Sequence, residues 1–396
     1  MNGGVTIVLA TLGSIGDLLP FLAVGKAFRR RGHDVVVVTS EGCQGMVRMH
    51  GLDFCGVPDR FRAQDPFRDV ATSPASGTWG RVWREFFVPA TRPTYEAMER
   101  LVESRRCVVV ASWSAMGARL ACEASGIPYC DVYLSPYAVG CGGPDGESHE
   151  TFVAAALEGV RHELGLSAPG RHASGERGPE DASIGFFPDW FCRARPTVLN
   201  GVTPAGFPLH DDALVPASRS ELRRFLDGGD APLVFTPGSF MDQAGAFFED
   251  AVDACQALGK RAIFLTPHRR QVPSTLPETV LHLDYVPLHR VLGRAAALFH
   301  HGGIGTCAQA MRAGVPQIIA PLFFDQFDNA ARVEALGLGF GVNRGALGAT
   351  TMAEAISRAL TLQAEGSPCL AVRQRFQEQD AAEAICDQVC RLVSRC

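Results

Sequence analysis

His300-His301-Gly302-Gly303-Ile304-Gly305-Thr306 is the stretch that decides the fold. The apolar run Ala295 to Phe299 leads into it, and a short helical pattern ending at Gly314-Val315-Pro316 follows. The run reads as a strand, the pattern as a helix, and Thr306 as its N-cap, so the glycines fall where a strand meets a helix N-terminus. Backbone N–H groups left free in the first helical turn, with the positive end of the helix dipole, suit an anion that glycines allow to approach closely.

Outward from this stretch, strands and helices alternate. Val5 to Thr11 reads as a strand, Leu12 to Asp17 as a loop, and Leu18 to Arg31 as a helix closed by Gly32. Val35 to Thr39 is too apolar for a half-exposed strand and predicts one buried on both faces of a parallel sheet. Val108 to Ser112, a helix from Ala115 to Ser125, and a strand from Tyr129 to Leu134 continue the series. Thr197 to Asp230, punctuated by Pro204, Pro208 and Pro216, reads as a connection. A second series follows: strands at Leu233 to Thr236, Ala262 to Thr266, Val280 to Val286 and Gln317 to Ala320, with helices from Ala244 to Leu258 and from Asp328 to Leu336. Ile385, Val389, Leu392, Val393 and Cys396 make an apolar stripe at helical spacing, so the tail is expected to be a docked amphipathic helix. The expected division is a first domain over 1–200, a linker over 201–231, a second domain over 232–371, and a final helix over about 372–396.

Two domains agree with a length of 396 residues. With 46% hydrophobic and 20% charged residues and a net charge of −5, nothing points to a nucleic-acid partner. The thirteen cysteines form no Cys-x-x-Cys pair, which argues for buried thiols over metal ligands. There is no stretch of the ~18 apolar residues needed to span a bilayer, and the expected residence is cytoplasmic, compatible with peripheral membrane association.

Three turns carry glycine or small hydroxyl residues after strands: Gly13-Ser14-Ile15-Gly16-Asp17, Thr236-Pro237-Gly238-Ser239, and the opening stretch. In doubly wound sheets such turns line up along one edge, and two such domains would enclose a cleft. Asp17 is read in two ways, as an N-terminal cap of its helix or as a general base whose pKa rises by desolvation. Asp325-Gln326 offers acceptors and donors for vicinal hydroxyls, a solvated turn being the alternative. The irregular segments Pro58 to Pro93 and Ser135 to Pro188 are rich in aromatics. Trp79, Trp83, Phe87 and Tyr133 are the candidates for lining an apolar acceptor cleft, the alternative being that the aromatics plug the core. Arg171 to Ser183 reads as a mobile surface loop.

The opening stretch, continued through Ala313-Gly314-Val315-Pro316-Gln317 to Pro321 and Asp325-Gln326-x-Asp328-Asn329-Ala330, resembles the nucleotide-diphosphate-sugar signature of family 1 glycosyltransferases. These are inverting enzymes with the GT-B fold, two facing Rossmann-like α/β domains. Gly13-Ser14-Ile15-Gly16-Asp17-Leu18-Leu19-Pro20 resembles the opening of the sterol and antibiotic glycosyltransferases and of the rhamnolipid rhamnosyltransferase. Phe327 stands where the antibiotic and sterol enzymes commonly have proline, which leans toward the rhamnosyltransferase-like branch.

The resemblance implies that Asp17 takes the acceptor proton. It implies that Ser239, His301, Gly303, Gly305 and Thr306, with Gly16 on the donor side, hold the diphosphate. Asp325 and Gln326 would contact the sugar, the base would lie against Tyr285-Val286-Pro287-Leu288, and the last helix would return to the first domain. The expected reaction is metal-independent transfer of a hexosyl or deoxyhexosyl group from a UDP- or TDP-sugar to a hydroxyl of an apolar lipid or natural product. The nucleotide sugar is a co-substrate, and no separate cofactor is expected. Two other readings predict different outcomes: a catalytically silent homologue activating a partner would consume no donor alone, and a nucleotide-sugar epimerase would give product without acceptor. The acceptor, the base and sugar of the donor, and the oligomeric state stay open.

Overall fold

The computed structural model describes residues 5–58, 83–140, 157–166, 181–197, 199–210, 219–238, 244–363 and 367–393. Contacts divide the described residues into two units. One runs to His210 and resumes at Asp380, and the other lies between Asp211 and Gln379.

In the first unit the apolar runs become strands buried along their whole length. β1 (Thr6–Ala10), β2 (Val35–Ser40) and β4 (Cys107–Ser112) are buried at every position. With β3 (Asp53–Val57), β5 (Tyr129–Tyr133), β6 (Ala182–Gly185) and β7 (Thr203–Pro204) they form a seven-stranded sheet in the order β3-β2-β1-β4-β5-β6-β7. Every pairing is parallel. Such a sheet needs helices on both faces, and this explains the unbroken Val/Ile content of its central strands.

Two expectations change here. Ala182 and Ser183, read as part of a mobile surface loop, pair with Cys130 and Asp131 as the start of β6. Thr203–Pro204, read as part of the connection, forms the edge strand β7 against Ile184 and Gly185. Proline is tolerated there because an edge strand does not need every N–H.

Helix α1 (Ile15–Arg30) buries Leu18, Phe21, Leu22, Val24, Ala27 and Phe28 against this sheet. The last helix, α7 (Ala381–Val393), belongs to the same unit and inserts Ile385, Cys386, Val389 and Leu392 into the same core. The expected return of the C-terminal helix is therefore met. Its polar edge is tied to α1 by Arg30–Glu383 (2.8 Å), Arg31–Glu383 (2.8 Å) and Arg31–Asp387 (2.7 Å). These pairs are partly exposed and add little beside the apolar stripe.

Helices α2 (Val88–Val102) and α3 (Met116–Ser125) cross with their backbones almost touching. A Cβ at Gly117 would run into the carbonyl of Thr91 and the amide of Tyr95, neither of which is a side-chain end that could swing away. Gly117→Ala is therefore expected to lower stability by about 2 kcal/mol or more through overpacking. A urea midpoint unchanged from the parent would contradict this packing.

The second unit repeats the plan. β8 (Leu233–Thr236), β9 (Ala262–Leu265), β10 (Val280–Leu283), β11 (Ala297–His300), β12 (Gln317–Ile319) and β13 (Gly339–Gly341) form a six-stranded sheet ordered β10-β9-β8-β11-β12-β13. All its pairings are parallel. A stack of Phe235, Phe247, Phe248, Phe264 and Phe299, with ring centroids 4.8 to 6.1 Å apart, fills the face toward α4 (Gly245–Ala257). No helix among the described residues is long and apolar enough to cross a membrane.

Candidate functional site

In both sheets the strand order reverses between the first and fourth strands of the unit, which is where ligands bind in open parallel sheets, beyond the carboxyl ends of the strands. Asp17 lies at the reversal in the first unit, the opening stretch at that in the second.

The loop after β1 is held from β4 by a buried chain of hydroxyls. Ser112 Oγ donates to Thr11 Oγ1 (3.0 Å) and lies 2.6 Å from Ser114 Oγ. Ser114 clasps Leu12 from both sides, donating to its carbonyl (2.7 Å) and accepting from its amide (3.2 Å). No local pattern marks Ser114, which lies 102 residues from its partner.

Helix α1 begins at Ile15, earlier than its apolar spacing suggests, so Gly16 and Asp17 sit in its first turn. Ser14 is the N-cap, its Oγ accepting from the Asp17 amide (3.2 Å). The Asp17 carboxylate reaches back to accept from the Ser14 amide (2.6 Å) and hydroxyl (2.7 Å), completing a capping box. Burial pushes the Asp17 pKa above the usual carboxylate range, opposed by the hydrogen bonds from Ser14. The side chain is only half-buried, so solvent still reaches it. Asp17 is thus a cap with a raised proton affinity, and the two readings of this residue are compatible.

In the second unit the strand extends one residue further than expected, so that His300 closes β11, 1% exposed. Its Nδ1 accepts from the Gly302 amide (3.1 Å), which leaves the proton on Nε2, 3.1 Å from Gln317 Oε1. Burial lowers its pKa to about 3. His300 therefore shapes the turn and offers nothing to a ligand.

The His301 ring stands at 89° to that of His300. Its ring is packed between two glycines: a Cβ at Gly303 would lie 2.6 Å from Nε2, and one at Gly238 would lie 3.0 Å from Nδ1. Burial, followed by the nearby Arg344, lowers its pKa to about 4, so the ring is neutral at pH 7. Among the described residues its buried Nδ1 has no hydrogen-bond partner.

Helix α5 (Ile304–Ala313) starts with Gly303 as N-cap and no side-chain cap. This corrects the expectation for Thr306, which is the third helical residue. Glycine at 303 leaves the imidazole room that a larger cap would take. Uncapped first-turn amides keep their affinity for an anion. Gly305 is exposed, with nothing within 4 Å of the Cβ it lacks.

Gly302, at φ +96°, takes a conformation that L side chains rarely adopt, and any side chain would strike Ile319. Asn329, fully buried, locks the turn, its Nδ2 donating to Gly302 O (2.9 Å) and to Asp325 Oδ2 (2.9 Å). Its position in the quoted motif was the available signal for it. Asp325 is half-buried and precedes α6 (Gln326–Ala335), its backbone carbonyl accepting from the Asn329 amide (2.7 Å). Gln326 is turned inward, 5% exposed, with Oε1 accepting from the amides of Leu322 (2.8 Å) and Phe323 (3.4 Å). Its carbonyl braces this turn, where Phe324 sits at φ +57°, an uncommon conformation for a bulky residue.

Val286 is buried at 6%, and its neighbour Tyr285 is exposed. Phe327 projects into solvent, 56% exposed. Phe87 is 4% exposed and packs against Phe86 and Trp113, each at a ring-centroid distance of 5.0 Å. Tyr133 is 7% exposed, its hydroxyl donating to Asp131 Oδ2 (3.0 Å). Both are therefore buried in the first unit. Ser239, Trp79 and the side chain of Trp83 lie outside the described residues. Among the described residues no three His, Cys, Asp or Glu side chains gather as metal ligands.

Comparison with known proteins gives matches at both ends of the chain. Residues 7–139 match the glycosyltransferase family 28 N-terminal domain, and residues 252–393 match the erythromycin biosynthesis protein CIII-like C-terminal domain. The chain is 30% identical over 358 residues to the vancomycin aglycone glucosyltransferase of Amycolatopsis orientalis, covering 84% of each. It is 25% identical to the O-mycaminosyltylonolide 6-deoxyallosyltransferase of Streptomyces fradiae, over 98% of this chain and 96% of that one. Among solved structures, a spinosyn rhamnosyltransferase complexed with thymidine diphosphate superposes with a TM-score of 0.74 at 20% identity, over 97% of this chain and 99% of the other. At that identity the likeness shows the fold.

Proposed function

The chain belongs to the antibiotic and sterol glycosyltransferase family, and from that membership we propose that it transfers a hexosyl or deoxyhexosyl group from a TDP- or UDP-sugar with inversion, without a metal, Asp17 acting as base. The acceptor is a hydroxyl on an apolar natural product. The family supplies the reaction class, transfer from a nucleotide sugar, and this chain's residues supply the reading of its steps.

The observation that carries the donor half is the uncapped N-terminus of α5 beside an imidazole nitrogen that is buried and, among the described residues, unpartnered. A diphosphate provides the acceptors both lack, and the helix end stabilises the charge that grows on it as the sugar leaves. His301, neutral at pH 7, serves as a hydrogen-bond donor to phosphate and does not act as a base. Asp325 is the sugar-facing carboxylate, while Gln326 acts through its brace of the preceding turn. On the acceptor side, the raised proton affinity of Asp17 suits removal of a proton from an attacking hydroxyl. The choice between TDP and UDP leans on the thymidine diphosphate bound by the spinosyn enzyme, and the acceptor class on the O-mycaminosyltylonolide and vancomycin aglycone named for the two relatives.

The test is a panel of TDP- and UDP-sugars scored by thermal stabilisation, then incubation with aglycone acceptors and mass spectrometry of products in excess EDTA. A mass gain of one sugar on an acceptor, with inverted anomeric configuration, is the expected result. Loss of transfer in EDTA, or a donor altered without acceptor, would overturn the reading.

A further inference from the structure

The register of the second sheet brings one more residue to the donor edge. His300 pairs with Thr236 on one side and Ile319 on the other, and Ile319 pairs with Gly341. The four strands therefore end in one row, and the segments that follow them emerge together. The row continues one step further, with the Ala320 amide donating to His300 O (2.8 Å) and the Val342 amide to Ile319 O (2.8 Å). Asn343 then caps the short turn Arg344–Ala346, its Oδ1 accepting from the Gly345 amide (3.0 Å). Arg344 is thereby held at the start of a turn on the edge that carries His301.

Arg344 is half-buried, and among the described residues it makes no ion pair and no side-chain hydrogen bond. Other arginines of this unit are matched. Arg332 binds Asp328 (2.6 Å), Arg294 binds Asp227 (2.6 Å), Arg269 donates to the carbonyls of Val272, Pro273 and Ser274, and Arg358 lies 3.8 Å over the Phe340 ring. A desolvated cation without a counter-charge is costly, and the cost falls on binding an anion. Arg344 also lies close enough to His301 to help hold that ring neutral, so two groups that repel each other's positive charge share one place.

The charge of the ligand points the same way. A diphosphate bears more than one negative charge, whereas the end of α5 contributes about half of one positive charge and a neutral imidazole contributes none. A guanidinium supplies a full charge and a planar pair of donors matched to phosphate oxygens. Building on the donor reading above, we infer that Arg344 binds the diphosphate of the nucleotide sugar directly, as the fixed counter-charge of the leaving group.

The experiment titrates TDP, UDP, thymidine and uridine into the parent chain and into Arg344→Gln and Arg344→Lys. The expected result is a diphosphate affinity roughly 10- to 100-fold weaker in Arg344→Gln, the loss of one charge-assisted contact. Nucleoside affinity stays unchanged, and Arg344→Lys recovers part of the loss. The melting temperature of Arg344→Gln should equal or exceed the parent's, because an unpaired desolvated charge has been removed. Undiminished diphosphate affinity in Arg344→Gln, beside a parent that binds it, would overturn the role of Arg344 alone. Equal losses for nucleoside and diphosphate would also overturn it, marking a structural effect. A parent that binds no nucleoside diphosphate would overturn the donor reading and this inference together.

Discussion

Asp17→Asn is expected to bind nucleoside diphosphate as the parent does while turning over roughly 10²- to 10⁴-fold more slowly, the usual worth of a positioned general base. Asparagine is the informative replacement because its Oδ1 can still accept from the Ser14 amide and hydroxyl, which approach the native carboxylate at 2.6 and 2.7 Å. The capping box then survives and only the proton acceptor is lost. Asp17→Ala should show the same kinetic defect plus a loss of about 1 kcal/mol of stability from the broken cap. In the parent, turnover should fall as pH drops through the Asp17 pKa, and the acid limb should lie above the ordinary carboxylate range because burial raises that pKa. Removing the Ser14 hydroxyl, which opposes the shift, should move the limb higher still. Near-normal transfer by Asp17→Asn would leave Asp17 as a cap alone.

The stability of the chain should fall between pH 6.5 and 4 because of His300. The sign follows from proton uptake. The unfolded histidine binds a proton below about 6.5, whereas the folded one, buried and with Nδ1 already accepting from Gly302, does not until about 3. Stability is therefore fully present above 6.5 and is lost at about 1.4 kcal/mol per unit as pH falls, about 3 kcal/mol by pH 4. His301, held near 4 by burial and Arg344, adds a smaller loss of the same sign because it is less enclosed. His300→Asn provides the reference, since its side-chain oxygen can accept the Gly302 amide without titrating. Urea midpoints from pH 7.5 to 4.5 should show the parent's advantage over this variant shrinking by about 2 to 3 kcal/mol. Parallel curves would mean that His300 titrates normally in the folded chain.

The strands were legible where a single segment carries the signal. Val35–Ser40 and Cys107–Ser112 are buried on both faces, and their β-branched runs say so without reference to a partner. Ala182–Gly185 is equally a strand, but two small residues, a serine and one isoleucine carry no periodicity, and only pairing with Cys130 through Tyr133 defines it. Helix starts behaved similarly. Asp17 three residues after Ser14 is a capping-box spacing, whereas Thr306 has the chemistry of an N-cap and is overruled by Gly303. At that position the His301 ring needs the space of an absent Cβ.

By itself the sequence determined the two parallel α/β units, the glycine turn between a strand and a helix N-terminus, and the amphipathic tail, because strand burial, turn glycines and helical stripes are written in contiguous residues. Tertiary structure alone decided which polar groups remain available. It spends His300 on Gly302 and Gln317, turns Gln326 inward, buries Phe87 and Tyr133, and clasps Leu12 with Ser114. It leaves His301 and Arg344 without partners among the described residues. The reason is that whether a donor or a charge is satisfied depends on atoms that strand register brings together from distant positions.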